Sequence, residues 1–274
     1  GGFGTLRPVP ALRIGRGALP TGARSIAGDA SYGGERIAGP HLLIEGVAVD
    51  GSIDIGTPLP VVLRGVAVRP RGGVPVGIHV RPGSGPVLIA WCDVGARIAA
   101  AGIADAARMG LGLLLRAPGA RVQRCRISRV ADGIHPDARR IAITETLVED
   151  LVAGPGDHND GIQVGRQGGD LTVARCRILN PNRQTSCLFL SADTIAIQSC
   201  YLAGGGWTVY GGSRPDAAPA TLPRNIAITD TVFGRDYHPR CGVHGPLTHW
   251  SAAPGSGAGS NGTWLQTRPP SVLA

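Results

Sequence analysis

The stretch Ala120-Arg121-Val122-Gln123-Arg124-Cys125-Arg126-Ile127 carries the pattern that decides the fold. Apolar and polar side chains first alternate with a period of two, which is typical of a β-strand that buries one side. Gln123 and Arg124 interrupt this alternation after Val122. The small residue Cys125 follows, and Arg126-Ile127 begins a second short alternation. The pattern therefore predicts two short strands joined by a sharp bend.

The same pattern occurs eight times, at intervals of 19 to 33 residues. A unit of this size cannot bury its apolar side alone, but it can do so against a stacked copy of itself. Unequal intervals exclude rigid helical repeats and fit coils whose loops differ in length. The apolar positions are Leu42-Ile44-Val47-Val49, Val61-Leu63-Val66-Val68, Val87-Ile89-Cys92-Val94, Ala120-Val122-Cys125-Ile127, Ile141-Ile143-Thr146-Val148, Leu171-Val173-Cys176-Ile178, Ile195-Ile197-Cys200-Leu202 and Ile226-Ile228-Thr231-Phe233.

A third strand completes each predicted coil, and motifs such as Gly133-Ile134-His135 and Gly161-Ile162-Gln163 mark it. The middle residue of each motif is expected to point inward and the last one outward. A polar and aromatic column suits sugar rings, which stack on aromatics and hydrogen-bond to polar groups, whereas an ordinary solvated strand surface is the alternative. The outward column consists of His79, Leu114, His135, Gln163, Phe189, Tyr210 and His244.

These patterns predict an all-β protein, a single-stranded right-handed parallel β-helix of about eight coils, each rising about 4.8 Å. The β-helix is expected over residues 41–250, between a loop-rich N-terminal cap at 1–40 and a C-terminal tail at 251–274. The composition agrees, because 43 glycines, 22 prolines and only 4% aromatics favour short strands with many turns over helical bundles.

The cysteines fit the same coils. Four of them occupy the small inward position that follows the bend, where other copies place valine or threonine. We predict buried thiols rather than disulfides, because in-register strands rarely orient cysteines for bonding. Zinc-type Cys/His spacings do not occur in the sequence, so a structural zinc site is not expected. The four cysteines are Cys92, Cys125, Cys176 and Cys200.

The net charge is +8, and all 27 basic residues are arginine. Coding bias is one interpretation. The other is an arginine-lined groove for an anionic polymer, because guanidinium groups fit carboxylates and phosphates. The arginines are scattered rather than clustered with aromatics, so no nucleic-acid partner is expected. No apolar run reaches membrane-spanning length, so no membrane partner is expected either.

The stretch Gly156-Asp157-His158-Asn159-Asp160-Gly161 gathers candidate catalytic groups just before a third strand. Asp132 has the position of Asp160 one coil earlier, so the two carboxylates are expected roughly 5 Å apart. Such a pair can divide acid and nucleophile roles, and its repulsion raises one pKa. Two alternatives remain open: Asp-Gly is a favoured turn pair, and Asp157 with Asp160 could bind Ca²⁺.

Further candidates surround these acids. His135 and His158 have a near-neutral pKa that suits a general base, although ordinary surface histidines explain them equally well. Tyr210 could donate a proton or stack on a sugar, and arginines could bind a uronate carboxylate. The predicted substrate-binding residues are Gln163, Tyr210, Phe189, Arg166, Arg183 and Trp207.

From about Leu42 to Pro246 the repeats resemble the pectin-lyase-like superfamily of right-handed parallel β-helices. Asn159-Asp160-Gly161-Ile162 is similar to the Asn-x-Asp-Gly stretch of polygalacturonase-type glycoside hydrolases. Where those enzymes carry Asp-Asp-Cys, this chain has Thr185-Ser186-Cys187, and Gly205-Gly206-Trp207 replaces their Gly-His-Gly. The resemblance implies the fold and an activity on polysaccharides, with Asp160 as the matching acid.

The sequence therefore predicts a carbohydrate-active enzyme that cleaves a polysaccharide or oligosaccharide, including acidic ones. Glycoside hydrolysis by Asp160 with Asp132 or Asp157 is preferred, and it requires no cofactor. The first alternative is a polysaccharide lyase, in which arginine or Ca²⁺ neutralises the substrate carboxylate and His135, His158 or Tyr210 removes the C5 proton.

The second alternative is a glycan-binding or surface β-helix without catalysis, because two of the three polygalacturonase motifs are replaced. All three versions predict an extracellular or surface-exposed bacterial protein whose partner is a glycan. The sequence leaves the oligomeric state open.

Overall fold

The computed structural model describes residues 7–15, 19–20, 22–70, 73–96, 109–154, 157–211, 223, 225–237 and 243–244. Regular structure in these ranges consists of β-strands without helices. A helix long and apolar enough to cross a membrane is accordingly not found in this part of the chain. The predicted tail at 251–274 lies outside the described residues.

Parallel strands form the three walls of a β-helix, and each turn of the chain adds one strand to every wall. The first wall, face one, begins with Ala23–Ile26, which pairs antiparallel with His41–Glu45, and all later pairs in this wall are parallel. Its strands are β2 (Ala23–Ile26), β5 (His41–Glu45), β7 (Val61–Arg64), β10 (Val87–Ala90), β13 (Arg121–Gln123), β16 (Ala142–Thr144), β19 (Leu171–Ala174), β22 (Ile195–Gln198) and β25 (Ile226–Thr229).

Face two and face three share one long strand, β6 (Val47–Ile55). The first half of β6 belongs to face two and its second half belongs to face three. Face two continues through β8 (Ala67–Val68), β11 (Asp93–Val94), β14 (Arg126–Ser128), β17 (Leu147–Glu149), β20 (Arg177–Asn180), β23 (Tyr201–Gly204) and β26 (Val232–Gly234). Face three continues through β9 (Val74–Val80), β12 (Met109–Leu115), β15 (Val130–Pro136), β18 (Ile162–Val164), β21 (Leu188–Leu190), β24 (Val209–Tyr210) and β27 (Val243–His244).

The predicted parallel β-helix is confirmed by this topology. The total of about eight coils stays a prediction, because parts of the chain lie outside the described residues. Within the range predicted as a cap, β1 (Arg7–Ile14) pairs in parallel with β6 and places Val9, Leu12 and Ile14 against the core.

The outward column on face three has the predicted register. His79 pairs with Leu114, and Leu114 pairs with His135. Gln163 pairs with Phe189, and Tyr210 follows Phe189 in the next coil. His244 is in register with Tyr210 through the backbone, and its side chain lies outside the described part. The column is therefore continuous along face three.

A single residue with a positive φ angle makes the bend from face one to face two in successive coils. Only glycine adopts this conformation without a steric penalty, which is roughly 1–2 kcal/mol for other residues. Most coils nevertheless use a residue with a side chain, which points away from the core. The bend residues are Gly46, Gly65, Trp91, Arg124, Glu145, Arg175, Ser199 and Asp230, with φ between 49° and 62°.

The side chains at this bend form a ladder between coils. Arg124 and Arg175 both donate hydrogen bonds to the carboxylate of Glu145, at 2.6 and 3.0 Å. The guanidinium groups of Arg64 and Arg124 lie 5.6 and 5.3 Å from the ring centre of Trp91. These contacts are exposed to solvent, so each one contributes little to stability.

The interior is a continuous stack of aliphatic side chains, and the predicted buried thiols lie within it. Cys92, Cys125, Cys176 and Cys200 are buried and free. Cys187 is also buried, and its burial raises the pKa of this thiol to about 12. A thiol that stays protonated is a poor nucleophile, so Cys187 serves as a small core side chain.

A β-hairpin covers the outer side of face one. It consists of β3 (Ala30–Tyr32) and β4 (Glu35–Ile37), and it packs Tyr32 against Leu43, Val62 and Leu88. The hydroxyl of Tyr32 lies 2.7 Å from Nε2 of His41. Face one is therefore partly shielded by the chain itself, whereas the column on face three remains partly exposed.

Candidate functional site

The predicted catalytic acids lie where face two turns into face three. Asp132 lies within β15 and Asp160 lies just before β18, and each of them directly precedes a glycine. A Cβ atom on Gly161 would collide with the Ile178 side chain and lie 2.7 Å from the carbonyl oxygen of Cys187. The Asp-Gly pairs thus have a structural cause, because only glycine lets successive coils approach so closely at this bend.

The two carboxylates occupy the same position in neighbouring coils. The backbone N–H of Asp160 donates a hydrogen bond to Oδ1 of Asp132, at 2.8 Å. The N–H of Gly133 in turn donates to the carbonyl oxygen of Asp160, at 2.9 Å. The two residues are therefore in register, while the separation of their carboxylates and their catalytic roles stay predictions.

Asp160 is deeply buried, with 3% of its surface exposed. Its Oδ1 accepts hydrogen bonds from the backbone N–H and the hydroxyl of Ser186, at 2.9 and 2.5 Å. Burial raises the pKa of this carboxyl group to about 6, since it outweighs the Ser186 hydrogen bonds, and the charge of Asp132 raises it further. Asp160 can thus carry a proton in mildly acidic solution.

Two buried asparagines hold the surrounding backbone. Asn159 donates to the carbonyl oxygens of Ala131 and Val152, at 2.8 and 3.2 Å. Asn180 donates to the carbonyl oxygens of Asn159 and Ser186, at 2.7 and 2.9 Å. These bonds give the backbone of the irregular loops further buried hydrogen-bond donors.

We refer to Asp132, Asn159, Asp160, Asn180, Thr185 and Ser186 as the acidic corner. Thr185 belongs to it because its hydroxyl donates to the carbonyl oxygen of Asn159. The sequence prediction did not include Asn180. Its signal is the Asn180-Pro181-Asn182 run at the end of the second strand of a coil, which is typical of a turn.

Asp157 and His158 lie on the loop before the acidic corner. Oδ2 of Asp157 accepts a hydrogen bond from the N–H of Gly154, at 2.7 Å, and the side chain of His158 is exposed. The described residues contain no group of three or more His, Cys, Asp or Glu side chains arranged to hold a metal ion. Because Asp157 and Asp160 both accept hydrogen bonds from protein donors, we derive no chemical step through Ca²⁺.

The face-three column passes beside the acidic corner. The rings of Phe189 and Tyr210 lie 6.2 Å apart and are tilted by 31°. Burial raises the pKa of Tyr210, and the negative charge of Asp160 adds to this effect. The aromatic pair, the partly exposed Gln163 and the buried carboxyl group of Asp160 are thus neighbours in the fold.

His135 lies one coil before Gln163. Burial lowers its pKa, the Asp137 carboxylate opposes this effect and the Arg116 guanidinium adds to it. The side chain is therefore neutral at neutral pH, which is the state that a general base requires. Gly165 lies close by, because a Cβ atom there would be 3.2 Å from Nε2 of His135.

The remaining predicted residues do not gather at one point. Arg183 is exposed on the loop after β20, and the backbone N–H of Trp207 donates to the carbonyl oxygen of Thr185, at 3.3 Å. Arg166 follows β18, whereas Asp160 precedes it, so these two residues lie at opposite ends of the strand. The structure therefore separates Arg166 from the acidic corner.

No family model, curated protein or solved structure matches the chain. The strand topology sets the fold class, and the chemistry of the acidic corner and of face three carries the functional inference.

Proposed function

We propose that the protein is a secreted or surface-exposed β-helix of the pectin-lyase-like superfamily that binds a polysaccharide or oligosaccharide along face three. The supporting observation is the Phe189–Tyr210 pair, in register with Gln163 and partly open to solvent. Aromatic faces with neighbouring hydrogen-bonding groups suit sugar rings, which have both apolar and polar surfaces.

Binding is tested on a glycan array, followed by calorimetry with the best ligand. Phe189→Ala is expected to weaken binding about tenfold or more, as for aromatic anchors in other interfaces. Tyr237→Ala is the matched control, because Tyr237 is an aromatic residue with 40% exposure that follows β26 of face two rather than lying on face three. Equal losses in both variants, or none in either, would contradict the proposed location.

We further propose that the bound glycan is hydrolysed. Asp160 is the proton donor and Asp132 is the nucleophile of the carboxylate pair. This version is favoured by a carboxyl group with a pKa of about 6 next to a second carboxylate in the adjacent coil. Protonated Asp160 would donate to the glycosidic oxygen, so activity is expected to fall as the pH rises above about 6.

Binding without turnover is the competing function, and the 3% exposure of Asp160 favours it. Asp160→Asn separates the two functions when reducing-end release is measured alongside binding. Hydrolysis predicts that the variant binds but releases no sugar, whereas a binding protein shows no release even with Asp160 intact. A product with ultraviolet absorbance would instead identify β-elimination, in which neutral His135 is the candidate base.

A further inference from the structure

A cavity of about 630 Å³ opens where face three turns back into face one. Its lining comes from the turns after β12, β15 and β18, so three successive coils contribute to it. The lining is strongly charged, and we call it the arginine cavity. Its charged residues are Arg116, Asp137, Arg139, Arg140, Arg166 and Asp170.

The acidic residues of the arginine cavity already have cationic partners. Arg139 donates two hydrogen bonds to Oδ2 of Asp170, at 3.0 and 2.8 Å. Nε of Arg116 lies 3.4 Å from Oδ2 of Asp137. Each carboxylate is therefore matched by one guanidinium group.

Arg140 and Arg166 are the two cations left over. Their side chains are exposed, and neither has an ion-pair or hydrogen-bond partner for its guanidinium group among the described residues. Several other arginines of this surface, such as Arg124 and Arg175, are paired with a carboxylate, whereas the exposed Arg183 and Arg235 form no ion pair within the described part of the chain. The cavity thus has an excess of two positive charges that come from different coils.

This arrangement indicates the charge and shape of a ligand. Guanidinium groups form paired hydrogen bonds to oxyanions. The two guanidinium groups come from different coils, so one anion that binds both needs oxygen atoms that point in several directions. A tetrahedral sulfate or phosphate meets this requirement better than a planar carboxylate. The volume lies in the range of small-molecule sites and exceeds what a bare ion fills.

The arginine cavity lies next to the proposed glycan-binding column at His135. The pKa of His135, a member of the column, responds to Asp137 and Arg116, which line the cavity. Gly165 has no side chain where it passes both Asp137 and His135. A sugar chain on face three could therefore place a substituent between Arg140 and Arg166.

We propose that the arginine cavity binds a sulfate or phosphate ester carried by a sugar, with Arg140 and Arg166 as the anion ligands. The sugar part of this inference rests on the proposed glycan-binding function, whereas the anion part rests on the cavity alone. The ligand class is thus an anionic, ester-substituted saccharide.

The test is calorimetry on the full chain with galactose 6-sulfate, galactose 6-phosphate, galacturonate, galactose and sodium sulfate. The sulfate ester, the phosphate ester or both are expected to bind more tightly than galacturonate and sodium sulfate, and galactose is expected to bind least. The Arg140→Gln/Arg166→Gln double variant is expected to lose about tenfold or more in affinity for the bound ester. Added salt is expected to weaken binding of that ester, because both side chains are exposed.

Arg235→Gln is the matched control, because Arg235 is also exposed and lies in the loop after β26. It is expected to leave ester binding within about twofold, since a distant charge is screened by salt. Equal losses in the control and the double variant, unchanged binding in the double variant, or galactose binding as tightly as the esters would each overturn the proposal. So would tighter binding of galacturonate than of both esters.

The same variants separate this inference from the proposed function. If neutral oligosaccharides bind and Phe189→Ala weakens them, while ester binding is absent or unaffected by the double variant, the cavity proposal fails and glycan binding stands. If ester binding requires Arg140 and Arg166 but Phe189→Ala does not change the affinity for longer glycans, the cavity proposal stands. The proposed location of the glycan on face three then fails.

Discussion

The two bends that border face two are built in opposite ways. The bend from face one uses a single residue with positive φ in coil after coil, and its side chains pair in solvent. The bend into face three has loops of unequal length, and around Asp160 it buries carboxyl, amide and hydroxyl groups together. A single substitution at the first bend affects only one of many similar bends, because the same bend recurs from coil to coil. The second concentrates its buried polar contacts in a few residues, which makes it the more sensitive place for mutation and the better candidate for function.

The largest expected effect comes from Asn180→Ala at the irregular bend. The change removes the two hydrogen bonds that Asn180 donates to the carbonyl oxygens of Asn159 and Ser186 and the two that its Oδ1 accepts from Asn182, at about 1 kcal/mol each. We expect the free energy of unfolding to fall by about 4 kcal/mol, measured by urea denaturation. Asn182→Ala is the matched control, because it removes a less buried asparagine from the same loop and is expected to cost less. A loss below that of the control would contradict the central role of Asn180.

The second effect concerns the pH dependence of stability. The folded state raises the pKa of Asp160 from 3.8 to about 6 and therefore binds the proton more tightly than the unfolded chain. Its contribution is present at low pH and is lost as the pH rises through about 6, a change of about 3 kcal/mol.

Asp160→Asn removes this titration. The variant is expected to match the wild-type protein near pH 4 and to exceed its stability by up to about 3 kcal/mol near pH 8. Urea denaturation across this pH range measures the difference. Asp150→Asn is the control, because the side chain of Asp150 is 59% exposed and solvated in both states. An identical pH slope in wild type and Asp160→Asn would show that Asp160 is not held in the protonated form.

The third prediction compares one glycine from each bend. Gly161→Ala places a methyl group against Ile178 and the carbonyl oxygen of Cys187, and we expect a loss of about 2–3 kcal/mol from overpacking. Gly65→Ala meets nothing within 4 Å and retains only the positive-φ penalty of about 1 kcal/mol. Thermal and urea unfolding of both variants test the difference. The reverse order would mean that the regular bend, not the irregular one, limits the approach of the coils.

The smallest effect is expected from the exposed ladder. Glu145→Ala breaks the contacts to Arg124 and Arg175, yet it should cost less than about 1 kcal/mol, and this cost should shrink in high salt. Urea denaturation at two salt concentrations measures it. A loss as large as that of Asn180→Ala would remove the distinction between the two bends.

The arrangement of the acidic corner was predictable only in part. The Asp-Gly pairs and the spacing of the repeats indicated that Asp132 and Asp160 occupy the same position in adjacent coils. They did not indicate that Ser186, from the following coil, covers Asp160, or that Asn180 supports both loops. Those contacts depend on loop conformations, which the alternating pattern does not encode.

The coil, the inward and outward positions, the buried cysteines and the column from His79 to Tyr210 were all predictable without the structure. Each follows from the local alternation of side chains and the repetition of one unit. Tertiary structure alone decided the burial of Asp160, the hairpin over face one and the arginine cavity. These features arise from contacts between residues of different coils. The distances between such residues are set by the three-dimensional path of the loops rather than by any short-range sequence pattern.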